Sequence, residues 1–239
     1  YEGDFTLIGT TDVDFHGDLG AVAISPQERA YLCEVASEYF ARPVRGEEIV
    51  HSYSGVRPLY DNGESDASSL TRDYVLDLER GGGAPLLNVF GGKITTFRKL
   101  AEAALEKLQP LLGFNAGPWT QSASLPGGEF PVEGFATLVE RIRAAHPFLA
   151  EPHARRLARA YGTRALALLD GVERVEDMGR RFGHDLYECE VRYLVENEWA
   201  QTATDILWRR SKLALRLAAD ERQRLMDRLG EDRLAVPAA

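Results

Sequence analysis

The feature that most constrains the fold of this chain is residues 85–112, PLLNVFGGKITTFRKLAEAALEKLQPLL, where the hydrophobic period changes across a pair of glycines. Leu86, Leu87, Val89 and Phe90 make a short apolar run suited to a strand covered on both faces, since burial of one face alone would show alternation. From Ile94 the spacing becomes helical. Ile94, Phe97, Leu100, Ala104, Leu105 and Leu108 fall on one face, and Arg98, Lys99, Glu102, Glu106 and Lys107 on the other. Thr95 and Thr96 are natural caps for that helix. Gly91 and Gly92 let another group approach the backbone, and the helix that follows turns its free amides and positive dipole end to the same place. An anion, or a group becoming anionic, would be held there, with Lys93 adding a cation. The plainer reading of the glycine pair is a tight strand-to-helix turn, which needs glycine in any case.

The rest of the chain divides into two parts of different character. A strand-like run at residues 5–11 comes first, and the sequence enters it with no lead-in, so a piece cut from a longer polypeptide is expected. Ser25-Pro26 caps a helix over residues 27–40. Residues 48–59 mix β-branched and aromatic residues around a Ser-Gly interruption, as a strand does when its end faces a site. Residues 71–78 alternate as a third strand, and the run before the glycine pair is the fourth. The order strand, helix, three strands, helix predicts an α+β or α/β arrangement, a mixed sheet with packed helices, over residues 1–118. Gly117-Pro118 and SLPGGEF at residues 124–130 interrupt every periodicity and mark a domain junction. Residues 119–239 read as an all-α domain, with helices over residues 133–145, 150–161, 163–169, 185–198, 204–217 and 220–229.

A net charge of −9 argues against nucleic acid as a partner, because phosphate backbones are bound by net basic faces. No apolar run approaches the ~20 residues of a membrane span. Cys33 and Cys189 lie far apart on helical patterns, which suits reduced core thiols better than a disulfide framework or a metal site. Arg57, between Gly55 and Pro58, projects from a constrained backbone, and Arg72 begins the next strand. With Lys93 at the end of another, the three cations make a clamp for phosphate or carboxylate, the planar forks giving directed bonds and the ammonium a point charge. The alternative is surface ion pairs, Arg72 with Asp73 or Asp77 and Arg57 with Asp61. His51 lies in a strand pattern, and His16, His146, His153 and His184 sit near turns or helix ends; none is assigned chemistry. Asp12 and Asp14 read as a solvated turn, with Asp12 the nearer to a site. Residues 206–219 carry Arg209, Arg210, Lys212 and Arg216 beside Trp208, a pattern that serves either an anionic lipid surface or an ordinary outer helix.

In order along the chain, IGTTD at residues 8–12, YSGVRPL at 53–59, LTRDYVLD at 70–77, NVFGGKITTFRKLAE at 88–102, LPGG at 125–128, YGT at 161–163 and EWAQTATDILWRRSK at 198–212 resemble the FAD-dependent glycerol-3-phosphate dehydrogenases of the aerobic, membrane-associated type and the related glycerol-phosphate oxidases. The resemblance implies the C-terminal part of such an enzyme: residues 1–118 the end of the FAD/substrate domain and residues 119–239 a helical C-terminal domain. No GxGxxG pyrophosphate turn occurs in this chain, so FAD would be held mainly by the other half of the same polypeptide. Arg57, Arg72 and Lys93 would bind substrate, and Gly91, Gly92, Lys93, Ile94, Thr95 and Thr96 would face the flavin ring. The general base falls in the other half, so no catalytic residue is assigned. The implied reaction converts sn-glycerol 3-phosphate to dihydroxyacetone phosphate, with electrons passing through FAD to a quinone, at the inner face of the cell membrane, by peripheral contact and with a homodimer as a further partner. The isolated chain is expected to be inactive. Alternatives are an oxidase using O2, a related amine or amino-acid oxidase, or a non-catalytic docking or dimerisation module.

Overall fold

Local sequence decides most of the helices. The computed structural model describes residues 1, 3–57 and 73–229 and divides the chain into two units, Tyr1–Ser122 and Ala123–Ala239. In the first, helix α1 (Pro26–Tyr39) starts on a capping box. The Ser25 hydroxyl accepts from the Glu28 N–H at 3.2 Å, and the Glu28 carboxylate accepts from the Ser25 N–H at 2.9 Å. Glu28 also accepts from the Thr11 hydroxyl at 2.6 Å, and this bond, with those to Ser25, holds the carboxyl below the usual range.

Strands β1 (Tyr74–Glu79) and β2 (Leu86–Gly91) pair antiparallel, with Tyr74 opposite Gly91 and Leu76 opposite Val89. One 3₁₀ turn (Ile94–Thr96) leads into α2 (Phe97–Leu112), which ends at Gly113 in the left-handed conformation. The strand at residues 86–91 and the helix after it are therefore where the change of period places them. The two threonines do not cap: the Thr96 hydroxyl donates to the Lys93 carbonyl at 2.8 Å instead. The expected strands at residues 5–11 and 48–59 do not form among the described residues: residues 5–11 and 49–57 have no regular secondary structure, Glu48 closes a 3₁₀ turn (Gly46–Glu48), and residues 58 and 59 lie outside the described residues, so the sheet described there has two strands rather than the predicted four. A strand is completed only when a neighbouring backbone takes its N–H and C=O groups. Ala36 is the one buried apolar residue described in this unit, while Leu86, Val89, Phe90, Ile94 and Phe97 stay exposed. A hairpin and one amphipathic helix lack the layers to cover two sheet faces.

The second unit builds a true core. Helices α3 (Phe135–Ala145), α4 (Glu151–Tyr161), α5 (Ala165–Leu168), α6 (Glu188–Asn197) and α7 (Ala219–Leu229) bury Ile142, Leu157, Leu169, Leu194 and Leu225 completely. It departs from the all-α expectation by a small antiparallel pair, β3 (Arg181–Gly183) and β4 (Leu186–Tyr187), which delays the start of α6 to Glu188. Residues 204–217 do not form one helix. Asp205–Arg210 is π-helical, Lys212 takes a φ of 59°, and Leu213–Leu215 is a 3₁₀ turn. The even basic face expected over residues 206–219 is thereby broken up: Arg209 and Arg210 reach back to Asp205, and Trp208 packs against the core. The Asp205 carboxyl, which partial burial would raise, is pulled down to about 2 by the N–H groups of Gln201 and Thr202 and the Thr202 and Arg209 side chains.

Two of the motifs that carry the resemblance meet in this unit. The Gly127 carbonyl accepts from the Thr163 N–H at 2.9 Å, and the Glu129 carboxylate accepts from the Gly127 N–H at 2.8 Å and the Thr163 hydroxyl at 2.5 Å. A Cβ on Gly162 would lie 1.8 Å from the Gly127 oxygen, so the backbones of LPGG and YGT touch where no side chain fits.

Candidate functional site

The junction between β2 and α2 is shaped by the hairpin. Gly91 and Gly92 both take left-handed backbone conformations, with φ of 68° and 96°, and a Cβ on Gly92 would come within 3.2 Å of the Tyr74 Cβ on the neighbouring strand. The glycine pair is thus a tight turn under a close strand contact, and the same turn leaves Gly92, Lys93, Ile94 and Thr95 exposed. Thr96 donates its N–H to the Lys93 carbonyl at 2.9 Å, so the helix begins one turn after the ammonium. The Phe97 N–H that opens α2 bonds to the Ile94 carbonyl of that turn, and the start of the helix carries its positive end. The positive end of α2 beside an exposed Lys93 suits the electron-rich polar edge of a flavin ring or a substrate oxyanion, so these residues fit the group they are expected to hold.

Arg57 lies in the same unit. Its Nη1 donates to Asp12 Oδ2 at 2.7 Å, and both side chains are half exposed. The partner weighed from sequence, Asp61, lies outside the described residues, as does Arg72. Among the described residues no hydrogen bond or ion pair joins Arg57 to residues 91–96. The structure therefore brings the six residues Gly91 to Thr96 together as one turn, and brings Arg57 to an acid whose sequence context predicts a solvated turn. The signal for Asp12 was its place at the end of IGTTD; a separation of 45 residues from Arg57 hides the pairing from any local reading. His51 stacks on Tyr53 in the stretch leading to Arg57, with ring centroids 6.4 Å apart.

The remaining polar candidates lie in the helical unit. His146 Nδ1 bonds to the Val172 carbonyl at 2.9 Å, and His184 sits 2.7 Å from Asp185. Among the described residues the most buried charged group is Glu190, bound by Arg156 and Tyr161. Burial pushes the Cys189 thiol up to about 11, consistent with an inert core thiol. Among the described residues no three His, Cys, Asp or Glu side chains are grouped to hold a metal, and no helix is long and apolar enough to cross a membrane.

Residues 118–231 match the family model described as the C-terminal domain of alpha-glycerophosphate oxidase. Beyond that domain the likeness extends through both units. The chain is 49% identical over 227 residues to the glycerol-3-phosphate dehydrogenase of Pseudomonas aeruginosa, an alignment covering 94% of the chain and 44% of the relative. It is 47% identical over 222 residues to D-erythritol 1-phosphate dehydrogenase of Brucella abortus, covering 93% of the chain and 44% of the relative. It is 46% identical over 230 residues to the aerobic glycerol-3-phosphate dehydrogenase of Escherichia coli, covering 95% and 46%. The chain thus spans less than half the length of these relatives.

Proposed function

We propose that this chain is the C-terminal part of an FAD-dependent dehydrogenase that oxidises sn-glycerol 3-phosphate to dihydroxyacetone phosphate and passes the electrons to a membrane quinone. The observation that carries this reading is identity of 46–49% to glycerol-3-phosphate dehydrogenases across 94–95% of the chain, well beyond the matched C-terminal domain. Residues 1–118 would be the end of the FAD/substrate domain. The open faces of the β1–β2 hairpin and of α2 suit that role, since they need further layers to be covered. Residues 119–239 would be the helical domain, available for peripheral membrane contact or for contact with a second copy.

Within such an enzyme FAD, when bound, accepts the hydride. The residues of this chain bind and orient. Arg57, with Arg72, would grip the phosphate, and that remote binding energy would align the carbon to be oxidised. Lys93 and the turn from Gly91 to Thr96 would face the ring edge and substrate, favouring negative charge there through the helix dipole. A second reading, D-erythritol 1-phosphate as substrate, is favoured by the 47% identical relative. Both substrates are phosphomonoesters of polyols, so Arg57 suits either one.

The test uses the full-length polypeptide that contains this chain. Purified protein should be yellow, and its flavin should be bleached by one of the two polyol phosphates and reoxidised by a quinone analogue faster than by O2. The isolated chain should do neither. Arg57→Ala should raise KM about 10- to 100-fold, the scale of one charged hydrogen-bonding group, with flavin content intact. Flavin-free protein, or a flavoprotein reduced by neither substrate, would remove the proposal.

A further inference from the structure

We infer that Asp12 is a positioning residue for Arg57, its carboxylate holding the guanidinium in the orientation that receives the substrate phosphate; this rests on the reading of Arg57 just given. The contact is a single bond, Nη1 to Oδ2 at 2.7 Å. A guanidinium has five N–H donors in a rigid fork, so most remain for two phosphate oxygens. No other hydrogen bond or ion pair engages Arg57 among the described residues.

The pair does not exist to hold the fold. The two side chains are 54% and 61% exposed, and ion pairs so placed contribute little to stability. It nevertheless joins residues 45 apart, in two stretches with no regular secondary structure, where packing does not fix an arginine rotamer. Asp12 is tethered through its neighbour. The Thr11 hydroxyl donates to Glu28 Oε1 at 2.6 Å, and Glu28 belongs to the capping box of α1. The capped start of a helix is thereby connected, through Thr11 and Asp12, to an exposed cation. Pre-orienting such a side chain lowers the entropy lost when the ligand binds.

A carboxylate near a phosphate site can also act in the opposite sense, by repelling the dianion, and the two roles predict opposite changes in KM. In the full-length enzyme, Asp12→Ala should raise KM for glycerol 3-phosphate about tenfold, with kcat within about twofold and flavin content unchanged. The inhibition constant of inorganic phosphate should rise by the same factor. Asp12→Glu should recover most of the loss, and Asp12→Ala combined with Arg57→Ala should be no worse than Arg57→Ala alone, because the two act as one unit. A KM that falls or stays level in Asp12→Ala, while Arg57→Ala raises it, overturns the inference and leaves the proposed function standing. A KM unmoved by Arg57→Ala removes the role of Arg57 and the inference with it. Lost flavin or a lower melting midpoint in Asp12→Ala makes the residue structural, which also overturns the inference.

Discussion

Replacing Arg156 with alanine should unfold the helical unit more than any surface change can. The guanidinium donates from Nη1 and Nη2 to the two oxygens of Glu190, each at 2.7 Å, and from Nε to Asp185 Oδ2 at 2.9 Å. Nη2 also reaches the Asp185 carbonyl at 3.1 Å. Burial alone would favour loss of the Arg156 proton, but Glu190 and Asp185 override it and hold the group far above its ordinary range. Glu190 is 1% exposed, and its remaining support is the Tyr161 hydroxyl at 2.7 Å. Removing Arg156 strands a buried carboxylate, which costs about 3–5 kcal/mol. At a few degrees per kcal/mol for a unit of this size, the melting midpoint should fall by roughly 10–20 °C. Urea unfolding of the whole chain, with amide exchange read on α4 and α6, measures the loss where it occurs. The triple change Arg156→Met, Glu190→Leu, Tyr161→Phe should recover most of it, since no charge or hydroxyl is then left unpaired. A loss below about 1 kcal/mol in Arg156→Ala would mean that the network is solvated, and would refute the reasoning.

His153, on α4, is 9% exposed, has no hydrogen-bond partner at Nε2 among the described residues, and stacks on Tyr187 at 5.9 Å. Burial lowers its pKa, so the unfolded chain takes up the proton first as pH falls below about 6.5; its contribution is present above that pH and is lost on acidification by at most about 1.4 kcal/mol per pH unit. His153→Phe should flatten the urea midpoint between pH 7 and pH 5, and an unchanged slope would show that another group titrates there. Gly162→Ala should cost about 2–4 kcal/mol by thermal melting, because the new Cβ meets the Gly127 oxygen in a left-handed backbone. Gly171→Ala, left-handed but facing open space, is the control at about 1 kcal/mol, and equal costs would dismiss the close approach of LPGG and YGT.

The chain's letters alone determined those features whose causes lie within a few residues. Ser25-Pro26 with Glu28 starts α1, the 3.6-residue stripe and Gly113 bound α2, and α3, α4 and α7 fall within two residues of their periodic runs. The ordered motifs identified the relatives as well, because a string of short matches survives without knowledge of their arrangement in space. Tertiary structure decided what depends on partners far along the chain. Leu86 to Phe90 is a strand because β1 accepts it, while residues 5–11 and 48–57, equally strand-like in composition, have no paired neighbour among the described residues. The periodic run at residues 204–217 broke where Asp205 drew in Arg209 and Arg210 and Lys212 turned left-handed. Arg156 and Glu190 lie 34 residues apart and pair only where α4 and α6 meet, and Asp12 found Arg57 across 45 residues. Periodicity records which side of an element faces inward; which charge lies opposite is fixed only when the elements pack.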